Sequence, residues 1–431
     1  MPDRSSVVVV RGGRVVDVTG ERAADVVVEG GFVRAVGEGI TVPTGATVLD
    51  ATGCIVAPGL VDLHTHLRQP GREEAETVET GARAAALGGF TAVVAMPNTE
   101  PALDSASAVR EVLELGESAI CDVRVAGAIT RGRLGRELAP LGEMADLGVR
   151  IFTDDGDGVQ DARLMRRALE YASALGVTLA QHCEDKVLAA GGHMHEGEWS
   201  SRLGVPGQPA EAEELMVGRD IALSRLTGGR VHFLHLSTAG SVAAVRAAKA
   251  EGLAVTAEAA PHHFTLTDAA LEGYDTLYKV NPPLRSAADV AAVKAGLADG
   301  TIDAIATDHA PHAPEDKDVP FDQARPGMLG LETALALALT ELDLPITAVL
   351  ALLSWNPARI AGLESAHGGP VAEGRPANLC VIDPAATWVV DPDALASRAR
   401  NTPYAGRKLT GRARHTLLRG EPVVVDGAAQ R

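Results

Sequence analysis

The chain has 431 residues, which suits a large α/β barrel of about 250–300 residues with a smaller module beside it. Apolar residues make up 46% and aromatic residues 3%, so a sizeable core can form but a base-stacking surface is not indicated. The formal net charge of -18 disfavours nucleic acid and anionic membranes as partners.

Residues 1–10 lack an apolar run behind a basic stretch, and no segment reaches about 18 uninterrupted apolar residues. We therefore expect neither a signal peptide nor a membrane span. The cysteines Cys54, Cys121, Cys183 and Cys380 form no CxxC pair, which is typical of a reducing compartment, so a cytoplasmic protein is expected. Cys183 is expected to pack in the core.

Short β-branched runs punctuated by glycine turns open the chain and predict a small β module. The predicted strands are residues 7–10, 14–16, 24–29 and 32–35.

From Ala57-Pro58-Gly59 onward, short apolar runs alternate with alanine-rich helical patterns. The predicted strands are residues 60–63, 91–95, 122–126, 149–152, 178–181, 231–234, 254–257 and 304–306. Helical patterns between them include residues 75–87, 162–174, 209–226 and 238–250. Eight strands, most of them separated by helices, predict a (β/α)8 TIM barrel.

The strand rhythm returns at residues 379–382, 388–390, 415–418 and 422–425. We expect the two terminal segments to join into one β-sandwich beside the barrel and to carry no catalytic residue. The expected division is residues 1–57 and 369–431 for the two parts of the sandwich and residues 58–368 for the barrel.

The first barrel strand ends in His64-Thr65-His66. Residues two apart in a strand face the same side, so both imidazoles can reach one ion in the barrel mouth. An isolated pair of this kind is more often two partly exposed histidines, but His182, His235 and Asp308 also follow predicted barrel strands. Barrel enzymes place their chemistry at these strand ends, so the combination predicts a metal site.

Histidine and aspartate ligands with open positions suit catalytic zinc. Two ions about 3.5–4 Å apart would need a bridging anionic ligand. Asp154 and Asp155, at the end of another predicted strand, are the candidates.

Several motifs together resemble the amidohydrolase superfamily and, within it, the bacterial dihydroorotases, over nearly the whole chain. The motifs are HxHxR at 64–68, MPNT at 96–99, FTDDG at 152–156, HCED at 182–185, HLS at 235–237, PHH at 261–263, NPPLR at 281–285, DHAPH at 308–312 and NTPY at 401–404.

The resemblance implies two zinc ions per subunit, with Asp155 and a hydroxide as bridges. One ion would be held by His64, His66 and Asp308 and the other by His182 and His235. Many relatives use a carbamylated lysine as the bridge, but this chain has no lysine before Lys186. It therefore resembles the class I dihydroorotases in which an aspartate takes that place. Asp155 fits the family spacing to His182, and Asp154 is then expected to be structural.

The resemblance further implies the zinc-dependent reversible cyclisation of N-carbamoyl-L-aspartate to L-dihydroorotate and water, the third step of de novo pyrimidine (UMP) synthesis. Asp308 would accept the proton of the nucleophile and pass it to the ring nitrogen. The guanidinium of Arg68 would pair with the substrate carboxylate. The residues implied in substrate binding are His66, Arg68, Asn98, Asn281, His312 and the backbone of Pro326 and Gly327, where the family pattern has an aromatic residue in place of Pro326.

Other polar residues are expected to be less specific. His193 and His195 are expected to be exposed, and His262 and His263 to lie beside the site or to be structural. Residues 315–318 are expected to form a solvated loop or the edge of a lid.

Two other function classes remain open. An allantoinase or hydantoinase would favour a bridging lysine and would need no arginine for a carboxylate, so Asp155 and Arg68 count against it. An inactive homologue that acts as a scaffold for aspartate carbamoyltransferase would have lost metal ligands, whereas all six positions are filled. An active complex with that enzyme, and a homo-oligomer, remain expectations from the resemblance.

Overall fold

A computed structural model describes residues 7–431, so the expectation about a signal peptide at residues 1–10 falls largely outside the described residues. The strands before the barrel are β1 Val8–Arg11, β2 Arg14–Asp17, β3 Gly20–Ala23, β4 Asp25–Glu29, β5 Phe32–Gly37, β6 Thr47–Asp50 and β7 Ile55–Pro58. The four predicted strands are present with small shifts at their ends. β3 was outside the prediction because it is an exposed edge strand without an apolar face.

The barrel region follows. Its strands are β8 Leu60–Thr65, β9 Phe90–Ala95, β10 Asp122–Val125, β11 Ile151–Phe152, β12 Thr178–Gln181, β13 Met194–His195, β14 Gly207–Gln208, β15 Val231–Phe233, β16 Val255–Ala259 and β17 Ala304–Ile305. Its helices are α1 Val78–Leu87, α2 Ala106–Gly116, α3 Leu141–Asp146, α4 Ala162–Leu175, α5 Glu198–Leu203, α6 Glu211–Thr227, α7 Ala239–Ala250, α8 Pro261–Thr265, α9 Ala287–Asp299, α10 Pro314–Lys317, α11 Ala334–Glu341, α12 Ile346–Leu350 and α13 Asn356–Ile360.

Eight of these strands are parallel and follow one another around the barrel; β13 and β14 pair only with each other. One hydrogen-bonded ladder runs from β8 through β9 to β10. A second runs from β11 through β12, β15 and β16 to β17. Single parallel bridges close the two seams, between Gly127 and Phe152 and between Thr65 and His309. The strands therefore form the predicted barrel, and their carboxyl ends all open onto one face.

Local sequence signals set where the strands begin. Helix α4 starts after Asp161, whose side chain accepts a hydrogen bond from the Leu164 N–H, and it ends at Gly176, whose φ of 67° suits glycine. Strand β12 begins two residues later, and His182 follows its last residue at the carboxyl face of the barrel. The sequence pattern thus fixes the placement of a predicted site residue.

The terminal segments meet in two sheets. The C-terminal strands are β18 Leu379–Val389, β19 Lys408–Leu418, β20 Glu421–Val425 and β21 Ala428–Ala429. They join the N-terminal strands in a seven-stranded sheet of order β21-β20-β19-β18-β7-β2-β3, and a four-stranded sheet has the order β5-β4-β1-β6. Residues 388–390, predicted as a separate strand, mostly belong to β18, which continues through a register shift between Asp383 and Thr387.

Adjacent residues of the seven-stranded sheet face opposite sides. Val56 and Val381 pack with the four-stranded sheet, whereas Ile55 and Cys380 join the cluster of the barrel. The sandwich therefore packs on the barrel through the face of this sheet that carries Ile55 and Cys380. Within residues 7–431, no helix is both long and apolar enough to cross a membrane.

Candidate metal centre and substrate cavity

The predicted ligand residues come together at the carboxyl face of the barrel. His64 lies near the end of β8, with His66 just beyond it, and Asp155, His182, His235 and Asp308 follow β11, β12, β15 and β17. All six side chains are buried. His235 and Asp308 adopt positive φ angles of 30° and 47°, a strained backbone that the surrounding structure must hold in place.

One group consists of His64, His66, Asp155 and Asp308. Nε2 of His64 lies 3.4 Å from Oδ1 of Asp155 and 3.5 Å from Oδ1 of Asp308. Nε2 of His66 lies 3.7 Å from Oδ2 of Asp155 and 3.2 Å from Oδ1 of Asp308. The two histidines thus face the same side, as their spacing predicts.

A second group shares Asp155. Its Oδ1 atom lies 3.7 Å from Nδ1 of His182 and 3.8 Å from Nε2 of His235, and these two nitrogens lie 3.0 Å apart. Asp155 is therefore the only one of the six residues that belongs to both groups.

These distances fit a metal ion. Donors placed about 2.0–2.2 Å from a tetrahedral zinc ion would lie roughly 3.3–3.6 Å from one another, close to the observed separations. Nε2 of His64 is buried and has no hydrogen-bond partner among the described residues, which is the condition of a nitrogen that a cation would satisfy. The residues present could hold one ion in each group.

The electrostatics also favour cation binding. Burial raises the pKa of Asp155, but the imidazoles of His64, His235 and His66 outweigh burial and hold that pKa well below its usual value. The same balance of burial against neighbouring imidazoles lowers the pKa of Asp308. Both carboxylates are therefore charged and ready to act as ligands.

Further polar side chains orient three of the imidazoles. Nδ1 of His64 contacts Oε1 of Glu258 at 2.9 Å, and Nδ1 of His66 contacts Oδ1 of Asn98 at 2.9 Å. Nε2 of His182 lies 3.6 Å from Glu184. Such outer partners select the tautomer that presents the other ring nitrogen to the metal.

Asp154 points away from the cluster. Its Oδ1 accepts hydrogen bonds from the backbone N–H groups of Ile129 and Thr130 at 2.9 and 3.0 Å, and its Oδ2 accepts one from the Thr130 hydroxyl. It anchors the loop after β10, so of the two candidate bridges the structure brings only Asp155 to the ligand groups.

A cavity of about 550 Å³ opens beside the cluster. The residues expected to contact substrate all line it: His66, Arg68, Asn98, Asn281, His312, Pro326 and Gly327. Arg68 is buried and donates from Nε to the Pro311 carbonyl at 3.1 Å, and among the described residues it forms no ion pair. Its guanidinium therefore remains available for an anion.

The other cavity residues are partly engaged already. The Asn98 amide donates to Asp155 at 3.2 Å, and the Asn281 amide donates to Glu184 at 2.9 Å. The Gly327 N–H donates to the Lys279 carbonyl at 2.8 Å, so this backbone can offer a ligand only its carbonyl. Burial lowers the pKa of His312 to about 2, and its neutral ring donates from Nε2 to the Pro326 carbonyl at 2.8 Å.

Sequence reasoning assigned no role to Glu258, Glu184 or Asn401. An acid inside the apolar run of β16 was a usable signal for Glu258, because a buried carboxylate requires partners. His262 lies beside the cluster, with Nε2 3.9 Å from Oδ2 of Asp308, and Nε2 of His263 contacts the Pro282 carbonyl at 3.0 Å.

Two expectations need correction. His193 and His195 are half-buried and not exposed, and Nη1 of Arg285 lies 3.2 Å from Nδ1 of His195. Residues 315–318 do not form a simple solvated loop, because Lys317 is buried and its Nζ donates to the carbonyls of Thr276, Lys279 and Arg325 at 2.9, 3.3 and 2.8 Å. Carbonyl groups from distant parts of the chain gather around this ammonium, and the local sequence carries no sign of them.

Known proteins resemble the chain over nearly its full length. A sequence profile described as dihydro-orotase-like matches residues 53–241. A dihydroorotase of Pelotomaculum thermopropionicum is 52% identical over 97% of this chain and 98% of the relative, and one of Streptomyces coelicolor is 51% identical over 97% and 98%. The solved L-hydantoinase (dihydropyrimidinase) of Arthrobacter aurescens is 26% identical, with a TM-score of 0.88 over 98% of this chain and 97% of that one. With relatives this similar, the chain belongs to the dihydroorotase family.

Proposed function

We propose that the chain is a dihydroorotase that interconverts N-carbamoyl-L-aspartate and L-dihydroorotate with the help of two zinc ions. The observation that supports this most directly is the shared position of Asp155 between two ligand groups, beside a cavity that contains the unpaired Arg68. The likeness to dihydroorotases at about half identity points to the same cyclic amide hydrolase reaction.

In this proposal, His64, His66, Asp155 and Asp308 would hold one zinc, and Asp155, His182 and His235 would hold the other. When bound, zinc lowers the pKa of water to near neutrality and polarises a carbonyl oxygen. These are the two requirements for opening a cyclic amide at neutral pH.

The side chains of the protein supply the remaining steps. Asp308, held as a carboxylate by the neighbouring imidazoles, accepts a proton from the nucleophilic water and returns it to the ring nitrogen as the C–N bond breaks. In the cyclisation direction, the same carboxyl group takes the proton from the carbamoyl nitrogen and passes it to the departing water. Asp308 thus carries one proton in each direction. Hydrolysis also releases a second proton to solvent, because the product is a carboxylate, and cyclisation takes that proton up again to complete the departing water.

Substrate binding is assigned to the cavity residues. Arg68 pairs with the free carboxylate through its planar fork, with Asn98 and His312 beside it. His66, Asn281 and the Pro326-Gly327 backbone complete the contacts, with the backbone acting as a hydrogen-bond acceptor for a ring N–H. This last detail follows from the N–H of Gly327, which is already bonded within the protein.

The deciding experiment is hydrolysis of L-dihydroorotate, followed by ultraviolet absorbance, after chelation and after zinc is restored. Activity that zinc restores, with allantoin and hydantoin left intact, is the expected result. A zinc-loaded protein that hydrolyses hydantoin but not dihydroorotate would instead favour the hydantoinase class, to which the solved structural neighbours belong.

We further propose a cytoplasmic location, which the four free and buried cysteines fit. We also propose the sandwich and barrel division at residues 1–57, 58–368 and 369–431, a homo-oligomeric state, and association with aspartate carbamoyltransferase. Gel filtration of the protein, alone and mixed with that enzyme at micromolar concentration, tests the last two; separate elution argues against the complex.

A further inference from the structure

Asn401 lies in the segment between the strands β18 and β19, far from the proposed ligand residues in sequence. Its side chain is buried, with 4% of its surface exposed. Nδ2 donates to the Ala310 carbonyl at 3.0 Å and to the Gly327 carbonyl at 3.1 Å, and Oδ1 accepts from the His312 N–H at 3.1 Å. Two carbonyl partners on one side and an N–H on the other fix which end of the amide is nitrogen.

These three partners belong to two walls of the substrate cavity. Ala310 and His312 follow Asp308 on one wall, and Gly327 lies on the adjoining wall. The two walls are also bonded directly, because the Ala310 N–H donates to the Met328 carbonyl at 2.9 Å. The Asn401 backbone adds a fourth link, because its carbonyl accepts from the Leu329 N–H at 3.0 Å. One residue from the C-terminal segment thus joins both walls.

The walls have little room to adjust. A Cβ atom on Gly327 would lie 2.7 Å from Cβ of Ala310 and 2.9 Å from Nε2 of His312, closer than such atoms can approach. The spacing between His312 and the Gly327 carbonyl is therefore set by the close packing of Gly327 against the Ala310 and His312 side chains and by the hydrogen bonds of the Asn401 amide.

We propose that Asn401 is a positioning residue that fixes the Gly327 carbonyl relative to His312 in the substrate cavity, and through this placement the affinity for the substrate. It touches none of the six ligand residues, so metal binding does not depend on it. Because the backbone carbonyls of Ala310 and Gly327 are strong acceptors, loss of the amide leaves them unsatisfied and lets the Gly327 carbonyl shift relative to His312. Small displacements of positioning groups are costly to an enzyme.

The proposal rests on the dihydroorotase function, and its test separates the two. Three variants are compared with the wild type for zinc content, thermal midpoint, KM and kcat with L-dihydroorotate: Asn401→Ala, Asn401→Asp and Asn378→Ala. Asn378 is the matched control: it is equally buried, donates to the Ala366 carbonyl at 3.0 Å and accepts from the Arg419 N–H at 2.6 Å, away from the cavity.

We expect Asn401→Ala to raise KM about ten- to a hundredfold with zinc content unchanged. Asn401→Asp keeps the shape but turns a carboxylate oxygen toward two carbonyl oxygens, so its KM rises at least as much; this variant carries the test if the alanine variant does not fold. Asn378→Ala lowers the thermal midpoint and leaves KM unchanged.

A lower thermal midpoint with the wild-type KM in both Asn401 variants would overturn the proposal and leave Asn401 a purely structural residue. Wild-type protein that is zinc-loaded yet inactive on dihydroorotate would refute the proposed function, and the proposal with it.

Discussion

Glu258 accepts a hydrogen bond from Nδ1 of His64 at 2.9 Å, which leaves Nε2 of the same ring facing Asp155 and Asp308. The other carboxylate oxygen of Glu258 contacts Nε2 of His232 at 2.9 Å. The carboxylate therefore lies fully buried between two imidazoles. Burial raises the pKa of Glu258, but the two histidines outweigh it and lower the pKa to about 2.

We expect Glu258→Gln to weaken zinc binding about 10- to 100-fold, because the imidazole of His64 loses the anion that selects its tautomer. Competition with a chromophoric chelator measures the affinity. Glu332→Gln is the control: Glu332 accepts from the Ala396 N–H at 2.8 Å and contacts no proposed ligand. Equal affinities in the two variants would contradict the role assigned to Glu258.

The neighbours Asp154 and Asp155 should respond in opposite ways to the same substitution. Asp155→Asn removes the shared ligand, so zinc content should fall, with affinity reduced at least about 100-fold. Asp154→Asn should keep zinc, but it should cost about 1–3 kcal/mol of stability, because one oxygen accepts two backbone N–H groups and the other accepts a hydroxyl.

Metal analysis and thermal unfolding of the two variants, purified in parallel, check this pair. Loss of zinc in Asp154→Asn with retention in Asp155→Asn would reverse the assignment of the bridge.

The parts of the fold that follow from local pattern were predictable. Apolar runs and alanine-rich helices repeat along the chain, so all eight barrel strands were located in advance. The proposed ligand residues could be selected from the sequence because each lies at the end of such a strand. Strand β6 was not predicted. The apolar residues that flank it, Ala46 and Ala51, are small. It also depends on parallel pairing with β1, which lies in a distant part of the chain.

Interactions between loops also lie beyond local pattern. Lys317 looks like part of a charged surface run, yet its Nζ donates to three carbonyls from two other segments, those of Thr276 and Lys279 in one and of Arg325 in the other. Asn401 belongs to a recognisable motif, but its proposed role depends on the positions of the Ala310 and Gly327 carbonyls, which lie in loops after β17. Partners supplied by tertiary structure cannot be read from the residues beside them.

Arg68 offers a test of substrate recognition that is independent of zinc. Loss of a charge-assisted hydrogen bond costs about 1.5–3 kcal/mol, so Arg68→Ala should raise KM for L-dihydroorotate roughly ten- to a hundredfold with zinc content unchanged. Dihydrouracil, which has the same ring without the carboxylate, is the internal control. The wild type should prefer dihydroorotate strongly, and the variant should lose most of that preference.

The measurement is the ratio of kcat/KM for the two substrates in each protein. An undiminished preference in Arg68→Ala would assign the carboxylate to another cavity residue, such as Arg72 or Arg325, which also line the cavity.

Glu332 links the barrel to the C-terminal segment and should make stability depend on pH. Burial raises its pKa to about 7, partly offset by the N–H groups of Ala396 and Ser397, from an ordinary value of 4.5. Between these values the folded protein binds more protons at this site than the unfolded chain does. Its contribution to stability is therefore complete below pH 4.5 and is lost as the pH rises to about 7.

Glu332→Gln is neutral at every pH and keeps an oxygen that can accept from the Ala396 N–H. Its thermal midpoint relative to the wild type should therefore rise from pH 5 to pH 8, by the equivalent of at most about 3 kcal/mol, since one pKa unit corresponds to about 1.4 kcal/mol. Zinc is held saturating so that metal loss does not contribute. Glu79→Gln, at an exposed position that pairs with Arg83, should show no comparable trend. A difference in thermal midpoint between Glu332→Gln and wild type that stays constant across this range would contradict the prediction. It would mean that the Glu332 carboxyl has the same pKa in the folded and unfolded chain, because water solvates it in the folded protein.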